Sequence, residues 1–138
     1  MSAATSPRKG LLAAMTGGFL LVAFNAHADE SCDARPGAEV YATKCAVCHS
    51  LIAGEPGAVG PSLFGIVGRR PASVPGFVYS AAMKSRSDLW TPATLDWYLI
   101  DPPGRVPGTY MAFSGLKSSA ARAALICFLG TVRKSLTH

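Results

Sequence analysis

Five consecutive residues carry the chemistry of this chain: Cys45-Ala46-Val47-Cys48-His49. Two thiols three residues apart, followed directly by an imidazole, match the attachment pattern of a c-type haem. Each thiol can add across one vinyl group of the porphyrin, and the adjacent imidazole then falls beneath the iron. A bare C-x-x-C also occurs in zinc ribbons and dithiol redox enzymes. His49 is what sharpens the reading here.

The side of the iron opposite His49 is where a second ligand would bind, and the candidates are few. Residues 1–28 read as an export signal, with Arg8 and Lys9 as a basic start, an apolar run from Leu11 to Phe24 and a small-x-small site at Ala26-His27-Ala28. An uncleaved anchor is the alternative, although the run is shorter than the ~20 residues a membrane span usually takes. Beyond Ala28 the imidazoles are His49 and His138, and the thioethers are Met83 and Met111. His49 is the proximal ligand on this reading. Met83 sits beside Ala82 in a short apolar helix, where filling the core is the commoner role. Met111 sits in a proline- and glycine-bounded loop able to fold over a porphyrin, and is the favoured distal ligand. Imidazole and thioether together raise the reduction potential. With both positions filled, one-electron exchange is the expected chemistry, carried by a single covalent haem c and its iron.

Cleavage after Ala28 leaves residues 29–138, expected to form one small domain that gains from a cofactor inside its core. With Arg8 and Lys9 gone, 11 basic residues face 8 acidic ones, a net charge of +3. Neither a basic tract nor interleaved aromatics points to nucleic acid. Export and covalent haem together suggest a periplasmic location, with no stable membrane insertion after cleavage. Cys32 and Cys127 lie outside the haem motif. In an oxidising compartment they either pair or remain a free Cys32 and a buried Cys127.

The elements that must position these groups are helical. A helix from about Pro36 carries Val40 and Tyr41 and delivers Cys45 in its last turn, with Gly37 either admitting a second helix or standing at the helix start. Residues 50–60 read as a loop. Short glycine-broken turns follow, then a short helix within Phe77–Arg86 capped at Ser80. Thr91-Pro92 opens another helix with Leu95, Tyr98 and Leu99 buried, and Asp101-Pro102-Pro103 stops it. Gly104 to Leu116 reads as loop. The last helix runs from Ser118 or Ser119 to about Lys134, with Ala121, Leu125, Phe128, Leu129 and Val132 at helical spacing. No alternating run supports a sheet, so the fold class is all-α, short helices and loops around one haem.

Taken together, Gly37-x-x-x-Tyr41, Cys45-x-x-Cys48-His49, Gly60-Pro61-x-Leu63-x-Gly65-x-x-Gly68-Arg69, Pro75-Gly76-Phe77-x-Tyr79, Trp90, Thr94-Leu95-x-x-Tyr98-Leu99 and Pro107-Gly108-Thr109-x-Met111-x-Phe113 resemble the class I c-type cytochromes of the mitochondrial-like, soluble bacterial type. The resemblance spans Gly37 to about Val132. It implies a Pro61 carbonyl on His49, Tyr98 hydrogen-bonded near the Met111 sulfur, and Arg69, Tyr79, Trp90 and Thr109 around the haem propionates. It places Phe113 at the exposed haem edge and Gly37 and Tyr41 against Leu125 and Phe128. It further implies a monomeric electron carrier rather than an enzyme. Its redox partners would be a quinol-oxidising complex or dehydrogenase as donor, and an oxidase, reductase or reaction centre as acceptor. Two departures stand out: Tyr110 precedes Met111 where the family usually has a basic residue, and few lysines ring the expected haem edge. A second reading is therefore a cytochrome subunit dedicated to a larger dehydrogenase, with Tyr110 and Val106 as surface apolar residues. An enzyme or gas sensor with an open iron site is a third.

Overall fold

The first helix, α1 (Ala34–Lys44), begins where Asp33 accepts a hydrogen bond from the Arg35 amide. This computed structural model describes residues 32–133 together with Met1, and the proposed export signal, Met1 apart, lies outside them. Four further helices follow in chain order: α2 (Ala81–Lys84), α3 (Pro92–Leu99), α4 (Pro102–Arg105) and α5 (Ser119–Thr131). No strand occurs among the described residues. The helix starts follow from side-chain oxygens that satisfy otherwise unpaired amides. Ser80 accepts from Met83 N, Ser118 accepts from Ala121 N, and Thr91 and Thr94 form a reciprocal capping box.

Asp101-Pro102-Pro103 does end α3, which stops at Leu99, but the loop expected from Gly104 needs correction, because Gly104 and Arg105 belong to α4. Both prolines lie in the first turn of α4, where no amide donor is required, and Asp101 caps that turn through Gly104 N. Val106, expected on the surface, is 6% exposed as a consequence.

Helices α1 and α5 cross closely. A side chain at Gly37 would collide with the Ala124 carbonyl and the Phe128 Cβ, so only glycine permits this approach. Tyr41 and Phe128 stack beside the crossing with ring centroids 5.7 Å apart. Helix α3 leans on α5 through a core that joins Leu95, Tyr98 and Leu99 to Leu125, Ile126 and Leu129. A charge is buried at this contact: Arg122, 7% exposed, pairs with Asp96 at 2.7 Å and donates to the carbonyls of Leu116 and Lys117, both at 2.9 Å. Burying a guanidinium is costly unless its donors are satisfied, and here they tie the chain before α5 to α3. A disulfide between Cys32 and Cys127 fastens the amino-terminal arm to α5, the first of the two readings above.

Candidate cofactor site

Beyond α1 the backbone makes one more helical turn, with the amides of Cys48 and His49 both donating to the Cys45 carbonyl at 3.0 and 2.9 Å. Residues three and four apart share a face in such a turn. Cys45, Cys48 and His49 accordingly border one cavity of about 360 Å³. Two rival readings of the thiols weaken on this geometry. Among the described residues no three His, Cys, Asp or Glu side chains converge as a metal cluster. Burial, reinforced by Cys48, pushes the Cys45 thiol up to about 11. A dithiol redox pair needs a thiolate near neutral pH, and Cys45 is poorly suited to supply one.

His49 is held by its environment. Its Nδ1 lies 2.8 Å from the Pro61 carbonyl, which can only accept. The proton therefore sits on Nδ1, leaving Nε2 with its lone pair. Burial lowers the His49 pKa, with the Pro61 bond working partly against it, and the ring is neutral at pH 7. Two loop glycines enforce this packing. A Cβ at Gly60 would strike the His49 ring, and one at Gly57 the Cys48 carbonyl. The Tyr41 hydroxyl donates to the His49 carbonyl at 2.7 Å. The loop reading of residues 50–60 and the packing of Tyr41 on α5 do not by themselves assign these roles. The proximity of these residues to His49 in sequence was the available signal.

The Tyr98 hydroxyl lies 3.4 Å from the Met111 sulfur and 3.3 Å from the Thr109 hydroxyl, which in turn accepts from the Met111 amide at 3.3 Å. Burial raises the Tyr98 pKa, so the phenol stays a donor. Met83 also borders the cavity but is buried in the hydrophobic core.

Every sequence-predicted site residue borders this same cavity: Cys45, Cys48, His49, Pro61, Arg69, Tyr79, Trp90, Tyr98, Thr109, Met111 and Phe113. Arg69 donates to the carbonyls of Phe64 and Ser62 at 2.6 and 2.8 Å, and Ser62 is itself buried and bonded to the Ile52 carbonyl. Desolvation lowers the Arg69 pKa from its ordinary value, and no carboxylate pairs with it among the described residues. The Tyr79 hydroxyl accepts from the Val74 amide at 3.3 Å. An apolar cavity bordered by two thiols, an imidazole with a free Nε2, a thioether and an unpaired guanidinium suits a flat apolar macrocycle with a metal and anionic substituents. The donor set fits iron porphyrin. An open groove between α1 and α5, bordered by Glu39, Thr43 and Ala121 among others, holds no sulfur or imidazole.

The all-α fold and this donor set define a c-type haem protein. Residues 33–128 match the family model described as cytochrome C oxidase, cbb3-type, subunit III. The chain is 48% identical over 100 residues to the cytochrome c-type cyt cy of Rhodobacter capsulatus, covering 72% of this chain and 49% of that protein. It is 46% identical over 100 residues to the cytochrome c of Cochliobolus lunatus, covering 93% of that protein. Against the cytochrome c of Arabidopsis thaliana it is 46% identical over 97 residues and covers 87% of it. The chain thus spans about half the length of the first relative and most of the other two. It belongs to the cytochrome c family, as a class I c-type cytochrome with covalently attached haem c and its iron.

Proposed function

We propose that this chain is an exported, periplasmic monohaem cytochrome that shuttles single electrons between redox proteins through an iron ligated by His49 and Met111. The observation that carries the reading is the pairing of an imidazole whose Nδ1 is committed to Pro61 with a thioether oriented by Tyr98, on one apolar cavity. When bound, the haem supplies a one-electron ferric/ferrous couple.

The chain's own residues do the rest. Cys45 and Cys48 fix the macrocycle covalently. Pro61 holds the His49 ring by Nδ1, which leaves Nε2 to bind the iron, and Tyr98 with Thr109 restrains the Met111 sulfur. Arg69, Tyr79, Trp90 and Thr109 would hold the propionates, where a guanidinium and hydrogen-bond donors would offset the burial of negative charge. Phe113, on the cavity border, would pack at the haem edge through which electrons are exchanged. With His49 and Met111 both holding the iron, no coordination position would remain for oxygen or substrate, which favours a carrier over an enzyme. Donor and acceptor are redox proteins: a quinol-oxidising complex or dehydrogenase on one side, an oxidase, reductase or reaction centre on the other. The carrier itself is a monomer.

Flash kinetics with such partners tests the proposal. Second-order reduction and reoxidation at rates near those of diffusional encounter are expected, and failure to cycle with any respiratory or photosynthetic partner would contradict it. Rapid carbon monoxide binding by the native ferrous protein would instead favour an open-site enzyme or sensor.

A dedicated subunit of a larger redox enzyme is the second reading. Exposed apolar residues border the cavity at Val47, Val59, Val78 and Tyr110, and the matching family model is described as an oxidase subunit. Val106, being buried, adds nothing to that surface. Stoichiometric co-purification with a catalytic subunit would decide for this reading over free diffusion.

A further inference from the structure

Helix α3 turns Leu95, Tyr98 and Leu99 inward, and at 100° per residue Trp97 must face away from them. It is 38% exposed and takes no part in the cofactor cavity. Two guanidinium groups flank this indole: Arg86 lies 5.2 Å from its centroid and Arg105, at the end of α4, lies 5.3 Å away. Arg86 also sits 4.8 Å from the centroid of Trp90, which borders the cavity. Leu89, also exposed, comes from the segment just before α3.

The charges on this face are unevenly matched. Arg86 pairs with Asp88, whereas Arg105 has no ion-pair partner among the described residues. A guanidinium beside an indole keeps the N–H donors in its own plane available for a carboxylate. The indole is already steadied by two cations, so little conformational freedom is lost when a partner settles on it. Tryptophan and arginine are also the side chains that most often dominate protein interfaces.

We propose that Trp97, with Arg105 and Arg86, forms a docking surface for an acidic protein face, separate from the cofactor cavity. A carboxylate of the partner pairs with Arg105 while apolar surface beside it covers Trp97 and Leu89. One unpaired cation suits an acidic protein better than an anionic membrane or a nucleic acid, both of which call for clusters of several basic residues. A partner seated on Trp97 is separated from the cavity by the Arg86 guanidinium and the Trp90 indole. It could therefore engage the carrier while the cavity mouth is occupied by another protein.

The test is a heteronuclear NMR titration of the 15N-labelled haem-loaded protein with an octaglutamate peptide, using octaglutamine as the neutral control. The expected result is saturable shifts of the Trp97 indole N–H and the Arg105 signals with octaglutamate, and none with octaglutamine. Arg105→Gln should weaken binding by roughly tenfold, as expected for loss of a charge-assisted hydrogen bond, and Trp97→Ala should weaken it as well. An unchanged visible spectrum in both variants verifies that they fold. Shifts confined to Lys44 and Arg70 beside the cavity, an affinity indifferent to Arg105→Gln, or no saturable shift with octaglutamate would overturn the proposal. Tighter binding to phosphatidylglycerol vesicles than to the peptide would overturn it in favour of a membrane. Because the readout is binding, failure here leaves the electron-carrier reading standing.

Discussion

Tyr98 and Met111 come from different segments, α3 and the loop after α4, and meet where the phenol hydroxyl lies 3.4 Å from the thioether sulfur. In the proposed His49/Met111 ligation, a hydrogen bond to that sulfur would draw electron density away from it and make it a weaker donor to iron. Weaker donation favours the ferrous state. In Tyr98→Phe the reduction potential should therefore fall, by roughly 20–60 mV if the bond contributes the usual 0.5–1.5 kcal/mol. Potentiometric titration of the two proteins measures this directly. An unchanged potential would mean the bond does not bear on the metal.

The crossing of α1 and α5 gives a second prediction. Alanine at position 37 would gain up to about 1 kcal/mol in helix propensity over glycine. Its methyl group would meet the Ala124 carbonyl, which is backbone and cannot rotate away. Separating the helices costs more than the propensity returns, so Gly37→Ala should be destabilised by about 1–3 kcal/mol, as for other overpacked sites. Denaturant unfolding monitored by far-UV circular dichroism will show it as a lower midpoint.

Removal of the Cys32–Cys127 bridge, which closes a sequence separation of 95 residues, should lower stability by about 2–4 kcal/mol. The visible spectrum of the Cys32→Ser, Cys127→Ser double variant should match the parent, because neither cysteine borders the cofactor cavity. Thermal melts with intact haem provide the measurement.

Much of this arrangement was legible in the sequence because single residue types imposed it. Cys45, Cys48 and His49 allow one attachment chemistry, Thr91-Pro92 starts a helix by capping and by proline's missing amide, and Ser80 caps the turn that carries Met83. Other features depended on contacts between distant segments and left no local trace. The burial of Arg122 follows from Asp96 on α3 and from two carbonyls just before α5. Arg69 is held by the carbonyls of Ser62 and Phe64, an arrangement that composition does not encode. Helix α4 escaped notice because two prolines end one helix and begin the next equally well. The pairing of Cys32 with Cys127 stayed open for the same reason: no spacing rule joins residues so far apart.

Alkaline pH should expose the buried phenols. Burial raises the pKa of Tyr41, Tyr79 and Tyr98 above the ordinary value of 10.0. Below that value these tyrosines are protonated whether the chain is folded or unfolded, and their contribution is fully present. As pH rises through the window between the ordinary and the folded values, the unfolded chain ionises first and stability falls. The melting temperature should therefore decline above about pH 10. The decline should be shallower in Tyr98→Phe, and equal slopes in the two proteins would contradict this assignment.

The identity of the sixth ligand is the central claim, and the ferric visible spectrum tests it most directly. The parent protein should be low-spin and show a sulfur-to-iron charge-transfer band, retained in Met83→Leu and lost in Met111→Ala. A high-spin parent without that band, or a band that survives Met111→Ala, would contradict the account.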